Sequence, residues 1–178
     1  SIVFRASHDS GGMHLWLRTL DDPVARRIEG SLDGMNPAFS ADGEWIAFIN
    51  ENLSIKKVRV SGGSVTPIVR STARVAALAW GEKDEIFFEQ IGPPDGIQRM
   101  SANAGRQELA VSMDTANKEV QQRRPLYIRG AGVIAYGSSV AGDGEPTLVF
   151  YRLADGHRLR SGLQGIGPLA MLGDLLVY

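Results

Sequence analysis

Asn36-Pro37-Ala38-Phe39-Ser40-Ala41-Asp42-Gly43-Glu44-Trp45-Ile46-Ala47-Phe48 is the stretch on which the fold of this chain turns. Asp42-Gly43 is a turn dipeptide. Glycine takes the positive φ that a tight hairpin requires, and aspartate hydrogen-bonds its own backbone two residues on. Apolar segments flank the turn on both sides, so the stretch predicts two antiparallel strands. Phe39 and Phe48 then lie on neighbouring strands and pack into the interface between this sheet and the next.

The same element recurs along the chain. A short apolar strand ending in an aromatic appears at Ile2–Phe4, Trp45–Phe48, Glu85–Phe88, Val133–Tyr136 and Leu176–Tyr178. The aromatics stand 44, 40, 48 and 42 residues apart, near the roughly 40–50-residue period of a four-stranded β-propeller blade. Second strands follow at His14–Arg18, Ile55–Arg59, Ile97–Met100 and Leu148–Arg152, with turns at Asp21-Asp22, Gly62-Gly63, Ala104-Gly105 and Asp155-Gly156. More polar outer strands come next, at Ala25–Ile28, Val65–Ile68, Gln107–Ala110 and His157–Arg160; Pro67 in one of them suits an edge. Innermost strands, small and apolar, open each following unit at Pro37–Ser40, Ala77–Trp80, Pro125–Ile128 and Pro168–Met171. The expectation is an all-β fold of four-stranded antiparallel blades in one domain over 1–178. Its repeats run approximately 2–36, 37–75, 76–124 and 125–167, with a further unit starting at 168–178. Because the chain opens and closes inside strands, an arc of about four blades from a larger propeller is expected.

Met113–Gln122 is the longest helix-compatible stretch, with Asp114 as N-cap, but it has no apolar face at helical spacing. It is expected to be a long loop with at most one helical turn. Composition narrows the partners. The net charge is −1 and the pI about 6.3, so no basic field favours nucleic acid or an anionic membrane. There is no cysteine, which excludes disulfides and thiolate chemistry. No apolar run approaches the roughly 20 residues of a membrane-spanning helix.

The Asn36–Phe48 stretch resembles the signature of TolB-like, WD-repeat-like β-propellers, with Ala41 where the signature has proline. Trp80–Phe88 is a degraded copy, and the third unit keeps Pro125, Tyr127 and Gly130. A wider resemblance runs through Leu15–Asp21, Ala25–Gly30, Leu53–Val58, Ser61–Gly63 and Ile97–Ala102. These stretches are most similar to the propeller of bacterial receptor-type serine/threonine protein kinases, although Gln121–Pro125 departs from that pattern. The resemblance implies a non-catalytic recognition or sensor module of a bacterial signalling protein, working outside the cytoplasm. No kinase motif stands in this chain. The alternative it leaves open is the substrate-gating propeller of a prolyl-oligopeptidase-type serine peptidase.

Several residues are of types that can carry chemistry. Gly137-Ser138-Ser139-Val140-Ala141 approaches the G-x-S-x-G nucleophile elbow, but its last glycine is absent and Gly142–Pro146 is a poor helix start. His8, His14 and His157 match no zinc spacing. Asp33-Gly34 and Asp143-Gly144-Glu145 lack the alternating oxygens of a calcium loop and are expected to be turns. Trp16, Trp45 and Trp80 are expected to pack between blades; Phe39, Asp42, Gly43, Phe48 and Trp80 make up the structural motif. The segments Ser31–Asn36, Ser71–Val75, Met113–Arg124 and Gln164–Gly167 are expected as loops around one channel mouth. There Asp33, Asn36, Arg74, Arg123 and Arg124 are the candidate binding residues, with the Arg pair suited to an anionic ligand or acidic partner. No catalytic residue, cofactor or metal is expected. Uncovered blade faces at the two ends are expected to favour self-association.

Overall fold

The computed structural model describes residues 1–7, 11–50, 54–70, 73–93, 95–142, 144–173 and 175–178. His8, Asp143 and the loop start at Ser71 therefore lie outside the described residues. Five antiparallel sheets follow one another along the chain. The first has three strands, β1 (Ile2–Ser7), β2 (Met13–Arg18) and β3 (Arg26–Arg27). Three four-stranded sheets come next. They are β4 (Met35–Phe39) to β7 (Thr66–Arg70), β8 (Arg74–Trp80) to β11 (Glu108–Val111), and β12 (Glu119–Ile128) to β15 (Arg158–Gln164). Between them run β5 (Trp45–Ile49), β6 (Ser54–Arg59), β9 (Glu85–Ile91), β10 (Gly96–Ser101), β13 (Val133–Val140) and β14 (Thr147–Arg152). The last sheet pairs β16 (Ala170–Leu172) with β17 (Leu175–Val177). Every strand pairs with its neighbour in sequence, so each sheet is a meander: the all-β, four-stranded blade architecture predicted from the repeat.

The alternation of side chains along a strand explains how the sheets stack. Successive residues point to opposite faces, so the apolar runs of β5, β9 and β13 serve two junctions each. Ile46 and Phe48 join Leu15, Leu17 and Ile28 of the first sheet in one core cluster. Ala47 and Ile49 join Leu78, Trp80, Ile86 and Phe88 in the next. Phe87 and Ile97 then meet Ile134, Tyr136 and Val149 in a third. Phe48, Phe88 and Tyr136, the repeat's aromatics, are 0% exposed; burial of each such side chain is worth about 1.5–3 kcal/mol. Phe39 is half-buried in the Phe48 cluster, as the hairpin requires. The turn that sets this register is tied by its own side chains. Gly43 has φ 75°, Asp42 Oδ1 accepts from the Glu44 amide at 2.9 Å, and the Trp45 amide donates to Ser40 Oγ at 2.9 Å. The Ser40 hydroxyl, then the Glu44 amide, hold the Asp42 carboxyl below its ordinary pKa.

Two expectations need correction. Three of the four innermost strands start earlier than the sequence suggests, so Met35, Asn36, Arg74 and Val75 are strand residues, and the loop expected over Met113–Arg124 ends at β12, which begins at Glu119; the fourth, β16, starts later, at Ala170 rather than Pro168. The reason is a recurrent bulge. Register shifts occur between Met35 and Ala38, between Val75 and Ala77, and between Arg123 and Leu126. In two of the three a proline, Pro37 or Pro125, has no N–H to give the ladder. The residue before it, Asn36 or Arg124, takes a left-handed φ of 48° or 49°. Pairing then resumes, which a proline in the sequence does not announce. Gln164 likewise belongs to β15 rather than to a loop. The capping expectation holds: a single 3-10 turn spans Thr115–Asn117, and the Asp114 side chain accepts from the Asn117 amide at 3.3 Å.

Candidate functional site

The innermost strands β4, β8, β12 and β16 line a groove of about 1120 Å³. Its wall is mostly small or apolar, with Ala38, Ala77, Ala79, Leu126, Ile128 and Leu169 along it. Its polar groups gather where the inner strands begin. Asn36 enters from the bulge of β4, Glu89 from the end of β9, and Gln121, Arg123 and Arg124 from the start of β12. Glu89 is buried and its Oε2 accepts from the Arg124 amide at 3.0 Å. That bond fixes the bulge and leaves the Arg124 side chain exposed. Arg123 donates from Nη2 to Gln121 Oε1 at 2.6 Å, while its Nε is shut from solvent with no acceptor. Asn36 Nδ2 donates to the Ala76 carbonyl.

Three of the five binding candidates therefore come together: Asn36, Arg123 and Arg124. Asp33 and Arg74 do not line the groove. Asp33 sits in a turn, φ 56°, with its amide on the Met13 carbonyl at 2.8 Å; Arg74 is exposed at the start of β8. Glu89 and Gln121, which also line the groove, are not among the residues the sequence singles out. Glu89 comes from a second strand, one residue past an apolar run, where strand alternation alone makes it look like an interface residue. At the other end of the inner strands the hairpins approach each other. Arg129 donates to the Ser40 and Ala41 carbonyls at 2.9 and 3.1 Å, and Tyr127 Oη donates to Glu82 at 3.3 Å.

Other candidates resolve into structural roles. Gly137–Val140 lies inside β13, with Gly137 opposite Arg123 on one side and Leu148 on the other. Among the described residues after it no helix follows before β14, so the strand-turn-helix of a nucleophile elbow is not formed there. Ser138 is buried and donates to Glu119. His14 Nε2 lies 3.1 Å from the Gly11 carbonyl, and no group of three His, Cys, Asp or Glu side chains suited to a metal occurs among the described residues. Trp80 is buried in a junction cluster. Trp45 holds Lys57 and Arg59 over its ring at 4.7 and 4.4 Å and packs partly against the same cluster.

A buried ionic network behind the groove was not foreseen. Glu119, whose side chain is 0% exposed, accepts from the Asp114 amide and from Gln122 Nε2, each at 2.8 Å. Arg160 reaches Asp114 Oδ2 at 3.1 Å and Ser138 Oγ at 3.2 Å. Gln122 Oε1 accepts from the Ile97 amide at 2.9 Å, so the network also crosses to the third sheet. Burial pushes the Asp114 carboxyl up, but hydrogen bonds from Asn117 and Arg160 outweigh it and leave its pKa lowered. Burial raises the Tyr136 phenol on the same sheet face. The network fastens β12, and with it Arg123 and Arg124, to the third and fourth sheets.

No protein-family model matches the chain, and no curated protein matches it. Solved structures do. A TolB protein of Agrobacterium tumefaciens superposes with a TM-score of 0.72 at 14% identity, over 93% of this chain and 61% of that one. TolB of Acinetobacter baumannii gives 0.72 at 16%, over 89% and 39%. A prolyl endopeptidase structure gives 0.59 at 16%, over 94% and 27%. The chain thus spans less than two thirds of the length of these proteins. Likeness at such identity speaks for the fold: this chain is built as a TolB-like β-propeller, in part of its arc.

Proposed function

We propose that this chain is a non-catalytic recognition module whose groove binds an anionic small molecule or an acidic peptide. The observation that carries this is the placement of Arg123 and Arg124, beside Asn36, Glu89 and Gln121, at one end of a groove of about 1120 Å³ whose inner-strand wall is mostly small or apolar. A guanidinium offers planar, bidentate donors to carboxylates. The exposed Arg124 side chain is the guanidinium open to an incoming ligand, with Arg123 beside it in the groove wall. Glu89 accepts from the backbone rather than from these guanidinium groups, so it holds the loop shape without quenching both arginines. The resemblance to kinase-linked propellers supports a signalling role outside the cytoplasm. The likeness to a prolyl endopeptidase supports a second reading, in which the same groove is a passage guarding a catalytic domain carried elsewhere.

Calorimetric titration with a hexaglutamate peptide tests the main reading. Binding weakened tenfold or more in Arg123→Ala/Arg124→Ala, which corresponds to about 1.4 kcal/mol, is expected, with hexalysine not bound. Equal binding of both peptides, or indifference to the double substitution, would overturn it. Ester or peptide turnover by the pure chain, abolished by Ser139→Ala, would overturn the non-catalytic assignment.

A further inference from the structure

Strand β12 breaks its ladder twice, and each break turns one side chain outward. Glu119 pairs with Val140 and Gln121 with Ser139, so Val120 is an extra residue with no partner opposite it. Arg123 pairs with Gly137 and Leu126 with Ala135, which puts the second break at Arg124-Pro125. A bulge re-aims a side chain that the pleat would otherwise place. Val120 is 58% exposed, and Arg124 is exposed as well. Four positions separate them, roughly 13 Å of strand. Val120 lines a cleft of about 220 Å³ between the third and fourth sheets, together with Met113 and with Ile91, which is 43% exposed. Ile91 and Gln121 line both this cleft and the larger groove, so one surface runs from Val120 to Arg124. The glutamines of the cleft spend their amide hydrogens on the protein. Gln90 donates to the Gly92 and Pro93 carbonyls at 3.2 and 3.0 Å, and Gln122 to the Ser112 carbonyl and Glu119 at 2.9 and 2.8 Å.

We propose that this surface recognises an extended acidic peptide at two points, a carboxylate on Arg124 and, four residues away along the peptide, an aliphatic side chain in the cleft between Val120 and Ile91. It rests on the anion-binding reading of the groove and narrows the ligand to a peptide with an apolar anchor. The chemistry of the two ends sets their order. A polar group entering the cleft finds no amide hydrogen free on Gln90 or Gln122. Asp95, which also lines the cleft, disfavours a carboxylate there, while Arg124 attracts one at the other end. In an extended chain every second side chain leaves on the same face, so residues i and i+4 point the same way at the spacing of Val120 and Arg124.

Calorimetric titration with the end-blocked peptide Glu-Ser-Ser-Ser-Leu-Ser-Ser-Ser-Glu tests it. Its leucine stands four residues from a carboxylate in either direction, so the result does not depend on which way the peptide runs. The control is the same peptide with serine at its centre. The leucine peptide is expected to bind the parent about tenfold tighter or more, in line with the burial of one aliphatic side chain. Val120→Ser and Ile91→Ser should each remove most of that gain and leave the affinity for the serine peptide unchanged. Both positions are exposed, and circular dichroism checks that each variant is folded. Arg123→Ala/Arg124→Ala should weaken both peptides. Equal affinity of the parent for the two peptides would overturn the apolar anchor and leave the anion-binding reading standing. A leucine gain that survives both Val120→Ser and Ile91→Ser would overturn its placement. Binding of neither peptide, or binding of both that ignores the arginine substitutions, would overturn the two readings together.

Discussion

Gly137→Ala tests whether the fourth sheet and the segment after it are in contact as described. A Cβ on Gly137 would stand 2.1 Å from the Ile166 carbonyl oxygen, 2.7 Å from its carbon and 3.0 Å from the Gly167 nitrogen. All three are backbone atoms, so no side chain can swing aside. Gly137 is itself held on both flanks, opposite Arg123 and Leu148, and cannot retreat without breaking a ladder. Overpacking of this kind costs about 1–3 kcal/mol. At about 2 kcal/mol, a chain of this size should lose roughly 4–8 °C in Tm, following about 2–4 °C per kcal/mol. Gly144→Ala is the control: a Cβ there meets nothing within 4 Å and its φ is not left-handed. Thermal unfolding followed by far-UV circular dichroism reads both. A Gly137→Ala chain melting within about 1 °C of the parent would mean that Ile166 and Gly167 yield freely, and the described junction would be wrong.

The buried network makes two further predictions. Glu119→Ala removes the carboxylate that Arg160, Ser138 and Gln122 share, and breaking a buried pair costs about 3–5 kcal/mol. Since Arg160 keeps 28% exposure, a loss near about 3 kcal/mol is expected in urea unfolding, and a loss below about 1 kcal/mol would contradict the network. Asp114 has a folded pKa below its ordinary 3.8. Its contribution is therefore complete above that ordinary value and is lost as pH falls through the folded one. Urea midpoints between pH 6 and pH 2.5 should fall less steeply on the acid side for Asp114→Asn than for the parent, and parallel acid limbs would refute the assignment.

The blades were legible because their signal is both local and repeated. Asp42-Gly43 announces one hairpin, and the aromatics at Phe4, Phe48, Phe88, Tyr136 and Tyr178 announce the rest. Period-2 alternation then says which residues meet which sheet: Phe48 looks back to Leu15 and Leu17, Ala47 looks forward to the third sheet. The bulges were not legible. Proline before an inner strand reads as a strand start, and only the register shows that Met35 pairs with Ile49 beyond the break.

The candidate site was half visible for a related reason. Arg123 and Arg124 stand out as an adjacent charged pair in any reading of the sequence. Glu89, which determines how that pair is presented, lies 34 and 35 positions earlier and meets it only because β9 and β12 belong to adjacent blades. Its effect is geometric. By accepting the Arg124 amide it stabilises a left-handed residue that a β-strand would otherwise avoid. That conformation sets how the arginine side chain leaves the backbone at the end of the groove. In a propeller the pairing of strands within a blade follows from neighbours in sequence, whereas the groove is assembled from one strand of each blade. The fold is therefore written locally, and the site is written across the repeats, where a single copy of the motif carries no trace of it.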